Sequence, residues 1–185
     1  MSRTEDVTRP LLEVESLTVG FGEFDAVKGV SFHLQPGEIL GIVGESGSGK
    51  SVTCRAAMGL LPGAARASGR VTLEGRDLLT LGEADWCALR GRDIGMIFQN
   101  PASHLDPLRR IGKQIAAPMV RHLGIGRGEG MRRAIQLLDD VGIREPEQRA
   151  RSYPHEFSGG MKQRAMIAAA IGCGPKQMQR KQATA

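Results

Sequence analysis

Aromatic side chains are scarce. Phe, Tyr and Trp make up 4% of the 185 residues, with a single Trp and a single Tyr. A core must therefore rest on Val, Ile, Leu, Met and Ala, and no Lys/Arg block with interleaved rings marks a nucleic-acid surface. Cysteine is also sparse. Cys54, Cys87 and Cys173 are odd in number and form no CxxC pair. That excludes a disulfide framework and fits reduced thiols in a cytosolic protein. Long apolar runs are missing too. The longest, Ala165–Gly174, is too short to span a bilayer, so a role at a membrane requires partner subunits. The opening residues Met1–Asp6 are polar and acidic, unlike a secretory signal.

What is abundant is glycine, 25 residues without a repeat, which suits turns and close backbone approaches. The net charge of +5 owes three positive charges to Lys176, Arg180 and Lys181 near the end. Elsewhere acid and base alternate, as on a solvated surface. Leu11–Val19 alternates like a half-buried strand. Val30–Leu34 reads as a second strand, closed by a turn at Gln35-Pro36-Gly37-Glu38. Ile39–Val43 is a continuous apolar run, the pattern of a strand buried on both faces. A helix is expected over Ser51–Leu61, stopped by Pro62-Gly63. Gly69–Leu73 and Ile94–Phe98 read as strands and Glu83–Arg90 as a helix. From Pro107 to Gly142 the period turns helical, with Ile135, Leu138, Val141 and Gly142 on one face. Residues 144–157 look irregular. Ser158–Ile171 reads as a helix with Ser158 as N-cap and Gly172, Gly174 and Pro175 as its stop. Residues 176–185 are polar, with the composition of a disordered tail. Strands early and helices late suggest an α/β core with an inserted helical region.

Residues 44–51, Gly44-Glu45-Ser46-Gly47-Ser48-Gly49-Lys50-Ser51, match the phosphate-loop pattern at every position. Small residues let successive backbone N–H groups turn toward phosphate oxygens. The following helix aims its positive end at the same place. Lys50 is expected to reach the β- and γ-phosphates, and Ser51 to offer a hydroxyl to Mg²⁺. A second stretch, Tyr153-Pro154-His155-Glu156-Phe157-Ser158-Gly159-Gly160-Met161-Lys162-Gln163-Arg164, places Ser-Gly-Gly at a helix start. A hydroxyl, free amides and a helix dipole make that another anion-binding arrangement.

Two such motifs in one chain resemble the ABC transporter ATPases, over roughly Leu11–Pro175. The second stretch, the loop 44–51 and Ile94-Gly95-Met96-Ile97-Phe98-Gln99-Asn100-Pro101 are similar to the oligopeptide/dipeptide/nickel importer subfamily. The resemblance implies a P-loop NTPase core with an inserted helical subdomain. Residues 1–106 would form its β-rich and phosphate-loop part, 107–171 the helical subdomain that docks onto transmembrane partners, and 172–185 a tail foreign to the family. It implies two ATP-binding subunits, alike or different, held head to tail. Each ATP would lie between the loop of one and Ser158, Gly159 and Gly160 of the other. It makes Phe21 the ring that stacks on adenine, and Gln99 the group that touches Mg²⁺ and the attacking water. It further implies permease subunits, an extracytoplasmic substrate-binding protein and a peripheral position on the cytoplasmic face of the membrane. His155 belongs to the motif as a structural residue; no cluster accompanies it as for a metal.

The chain departs from the family after Lys176. There the family continues with an apolar strand ending in Asp-Glu, then a switch histidine; this chain reads Gln177-Met178-Gln179-Arg180-Lys181 and onward. Ile135–Asp140 imitates such a strand, but its helical period argues for a helix with a polar end. The expectation is a core incomplete at its C-terminus, marginally stable and weak in turnover. The alternative to a transport ATPase is a fragment that binds nucleotide or a partner without hydrolysis. A GTPase or small-molecule kinase would not need Ser158-Gly159-Gly160.

Overall fold

The computed structural model describes residues 9–97 and 104–180, without the side chains of 179 and 180. Its contacts divide the chain into two compact units, one running to Trp86 and the other starting at Cys87.

The first unit is built on an antiparallel sheet in the order β2-β1-β3-β4: β1 (Leu12–Phe21), β2 (Phe24–Leu34), β3 (Ala65–Leu73) and β4 (Arg76–Asp77). The apolar residues of β1 change parity, from Leu12 and Val14 to Leu17 and Val19, yet all four are buried. A bulge reconciles them. The register with β2 shifts between Val14 and Leu17, and Ser16 takes φ 47°. An extra residue returns the second pair to the buried face. Gly69 of β3, at φ +95°, fits against this bulge, where an added Cβ would lie 2.5 Å from the Ser16 carbonyl oxygen. The Ser31 hydroxyl accepts the Ser16 amide at 2.8 Å.

The strands expected at Val30–Leu34 and Gly69–Leu73 begin earlier than their sequence signals, Leu11–Val19 shifts to Leu12–Phe21, and Ile94–Phe98 is described as Ile94–Ile97; the exception is Ile39–Val43. That run joins no strand among the described residues, and Ile39 and Val43 are 97% and 90% exposed. This corrects the reading of a strand buried on both faces. Apolar side chains favour a buried parallel strand only where neighbouring ladders satisfy its backbone, and none is paired with it here. The helix after the phosphate loop is α1 (Lys50–Ala56), shorter than expected. It stops at Gly59, not at Pro62. Leu60 N–H donates to Arg55 O and Gly59 N–H to Ala56 O, with Gly59 left-handed at φ 60°, a Schellman motif. The sole Trp, Trp86, is buried beside it on α2 (Glu83–Leu89).

In the second unit β5 (Ile94–Ile97) pairs in parallel with β6 (Gln177–Arg180). Between them run α3 (Ile111–Leu123), α4 (Arg127–Asp140), α5 (Pro146–Arg151), a 3₁₀ turn at Pro154–Glu156, and α6 (Gly159–Ile171). Their shared core includes Ile111, Ile115, Met119, Leu138, Ile143 and Phe157, all buried. Burying such side chains contributes about 1.5–3 kcal/mol each. Met131 and Met161 pack partly buried against it. Gly130 of α4 lets α3 come close: an added Cβ would sit 2.9 Å from Val120 Cγ2 and 3.4 Å from Ala116 Cβ. Ile135–Asp140 lies inside α4, as its period requires.

Two expectations are corrected here. Residues 144–157 hold α5 and the 3₁₀ turn; Pro146 and Pro154 each occupy the start of an element, where a missing N–H costs nothing. The polar stretch from 176 contains β6 at 177–180. The exposed ladder of β5 accepts a strand through backbone groups, which polar side chains do not prevent.

Candidate functional site

The phosphate loop is shaped by backbone conformations that only glycine takes easily. Gly44, Gly47 and Gly49 have φ of 154°, 84° and 85°. Ser48 N–H closes the turn onto Glu45 O at 3.2 Å. Lys50 folds into the curl: its Nζ donates to Gly44 O and Glu45 O, both at 2.6 Å, and to Ser48 Oγ at 3.3 Å. The ammonium thus sits where the loop's carbonyls converge. Residues 44–48 are exposed and Lys50 and Ser51 half-buried, so an incoming anion has access. The first turn of α1 leaves amide donors without intrahelical acceptors. Thr53 anchors that turn, its N–H and Oγ1 both donating to Gly49 O at 2.9 and 3.1 Å. One cation, free amides and a half-exposed hydroxyl fit a polyphosphate carrying a divalent ion.

Gly49 is buried for a second reason. An added Cβ would lie 2.3 Å from Ala26 O and 3.2 Å from Val27 Cγ2. The loop therefore rests on β2, a seat the sequence motif does not reveal. Phe21 closes the same sheet end. It is the last residue of β1, paired with Phe24, and half-exposed; Phe24 itself is 67% exposed. Both rings lie in the hairpin beyond the Ala26–Val27 seat.

The second motif occupies the start of α6 in the other unit. The Ser158 hydroxyl accepts the Met161 amide at 3.3 Å, and Ser158 O the Lys162 amide at 2.9 Å. Ser158, Gly159 and Gly160 are exposed. A Cβ on either glycine would meet nothing within 4 Å, so the helix start is open to a ligand. Upstream, Glu156 accepts the Tyr153 amide at 2.6 Å. His155 stacks on Tyr153, ring centroids 5.7 Å apart, and the Arg110 guanidinium lies 5.9 Å from the Tyr153 centroid. His155 is thus a stacking residue of the turn before α6. No group of three or more His, Cys, Asp or Glu able to hold a metal occurs among the described residues. Gln99, the expected partner of metal and water, lies outside the described residues, as does the rest of 98–103.

Sequence reasoning missed two supports. The Arg164 guanidinium donates to Gly142 O at 2.8 Å, and the indole of Trp86 lies against Gly59. Neither has a local signal, because each pairs residues far apart in the chain.

Comparison with known proteins accords with this geometry. A family model described as ABC transporter matches residues 27–178. The chain is 49% identical over 177 residues to the oligopeptide transport ATP-binding protein OppD of Bacillus subtilis, covering 92% of this chain and 49% of that one. It is 47% identical over 172 residues to the dipeptide transport ATP-binding protein DppD of Lactococcus lactis, covering 90% and 49%. The chain thus spans about half the length of these relatives. Among solved structures, the ATP-binding cassette MJ0796, a dimer in a post-hydrolysis state with ADP and phosphate, superposes with TM-score 0.80. It is 26% identical, over 92% of this chain and 73% of that one. A P-loop core of the ABC ATPase type, a phosphate loop at Gly44–Ser51 and a family match across most of the sequence agree: the chain belongs to the ABC transporter family, in its ATP-binding part.

Proposed function

We propose that the chain is the ATP-binding, ATP-hydrolysing and energy-coupling subunit of an importer for peptides or nickel. The observation that carries this reading is the pair of exposed anion-binding arrangements in one chain, the Lys50 loop and the Ser158–Gly160 helix start. In this reading the loop amides and Lys50 hold the β- and γ-phosphates, and Phe21 stacks on the adenine. Ser158, Gly159 and Gly160 close over the γ-phosphate of an ATP held by a second ATP-binding subunit, alike or different. Ser51 and Gln99 would hold Mg²⁺, which would neutralise phosphate charge. Gln99 also orients the attacking water. ATP closes the pair, hydrolysis reopens it, and permease subunits take up the motion. No helix among the described residues is long and apolar enough to cross a membrane; the reading places the chain peripherally, on the cytoplasmic face, as the ATP-binding partner of membrane subunits. A substrate-binding protein on the other side would deliver cargo.

A second reading, a nucleotide- or partner-binding polypeptide without turnover, draws on one observation. The run Ile39–Val43 leading into the loop has no strand partner among the described residues. The two readings share ATP binding and part at hydrolysis. Titration with a fluorescent ATP analogue and steady-state phosphate release, on wild type and Lys50→Ala, test both. Lost charge-assisted hydrogen bonds of about 1.5–3 kcal/mol predict about 10- to 100-fold weaker binding for Lys50→Ala. Lys50-dependent phosphate release supports the ATPase and binding without release the second reading. Equal affinity in the variant would sink both.

A further inference from the structure

We propose that Arg164 is a positioning residue that aims the Ser158–Gly160 helix start. The inference rests on the function proposed above for that motif.

Nothing between Gly159 and Arg164 is fully buried; burial in α6 begins at Ala165 and Met166. The fully covered residues of the buried face are the small Ala165 and Ala168, with Met166 buried beside them and Met161 and Ile167 partly buried against the core. These contacts are dispersive and non-directional, so a hydrogen bond to a neighbouring element fixes the roll of α6 more sharply than they do. The far end is pinned, since an added Cβ at Gly172 would be 3.3 Å from Leu137 Cδ1 and 3.4 Å from Met119 Cγ. At the near end Phe157 and, partly, Met161 pack on the core, while the Ser158 cap is local to α6.

Arg164 adds a directional constraint. Its Nη1 donates at 2.8 Å to the carbonyl of Gly142, just past the end of α4. That carbonyl is itself held. Ile143 N–H donates to Leu138 O at 2.9 Å and Gly142 N–H to Asp139 O at 2.7 Å, with Gly142 left-handed at φ 74°. This Schellman motif is a stiff support. The C-terminal end of α4 also carries partial negative charge, which attracts a guanidinium. Arg164 stands five residues after Gly159, roughly 7.5 Å along the axis. A roll of α6 that broke this bond would swing Ser158 and the first-turn amides away from their present direction.

Two measurements on Arg164→Ala and Arg164→Lys decide it. The first is amide hydrogen exchange over residues 159–164 without nucleotide. Exchange should quicken in Arg164→Ala and return toward wild type in Arg164→Lys, which keeps a cationic donor. The second is ATP-driven self-association by analytical ultracentrifugation beside the ATP affinity of the loop. Association should weaken about tenfold in Arg164→Ala, the scale of one charge-assisted bond, while loop affinity changes little. Gly142→Ala, which strains the supporting turn, should mimic Arg164→Ala in both. Unchanged exchange in Arg164→Ala overturns the proposal, and so does faster exchange with undiminished association. If wild type shows no ATP-driven association, pairing of two like subunits falls while pairing with a different ATP-binding subunit stands, and the exchange comparison alone decides whether Arg164 holds the helix.

Discussion

Gly59 stops α1 by taking φ 60°, and an added Cβ there would lie 2.2 Å from Trp86 Cε2. A side chain at this position meets two penalties. The left-handed backbone costs about 1–2 kcal/mol, and forcing the indole aside costs about 1–3 kcal/mol more. Gly59→Ala should therefore destabilise the fold by about 2–5 kcal/mol, read by urea unfolding through the fluorescence of Trp86. A loss under about 1 kcal/mol would show that the indole does not press on Gly59. Gly47 makes the contrast: it is left-handed too, but an added Cβ meets nothing within 4 Å. At this scale the glycine turns of residues 44–49 and the Ser158 cap were legible in the sequence, because each is written in consecutive residues. Gly59 was not, since a glycine that ends a helix resembles one that does not until Trp86 is folded against it. The seat of Gly49 on Ala26 was hidden for the same reason.

Among elements, β6 shows backbone demand overriding side-chain preference. Its residues Gln177-Met178-Gln179-Arg180 carry no strand signal, yet they complete a parallel ladder with β5. Gln177 N–H donates to Asp93 O at 3.1 Å, and the Gln177 side chain is buried with Oε1 unpartnered among the described residues. A buried acceptor without a donor costs about 1–3 kcal/mol. Gln177→Leu keeps similar volume and removes that penalty. The variant should be about 1–2 kcal/mol more stable in denaturant titration, and destabilisation would mean the amide has a partner after all. α6 was readable from its punctuation and the helical period across 107–142 was read as such, but the break that separates α3 from α4 was not. Ile39–Val43 was misread because hydrophobicity specifies burial but not the neighbours that a strand needs.

At the scale of the whole molecule, that run bears on how copies associate. Four of its five residues, Ile39, Leu40, Ile42 and Val43, are large, apolar and exposed, with no ladder partner among the described residues. Such a segment offers both apolar surface and free backbone to another chain. Opposing this is a net charge of +5, whose repulsion is screened beyond about 10 Å at 0.1 M salt. The two forces respond oppositely to solutes. Adding salt weakens the repulsion, and sulfate strengthens apolar association. Nucleotide-free protein should therefore self-associate more as sulfate is raised, and Ile39→Lys should hold it monomeric to higher concentration. Ile39 is 97% exposed, so the change disturbs no packing and should leave the urea midpoint in place. Light scattering across a sulfate series, wild type beside Ile39→Lys, separates the two forces. If the variant associates as readily as wild type, or if salt disperses the wild type, the apolar run is not what draws copies together.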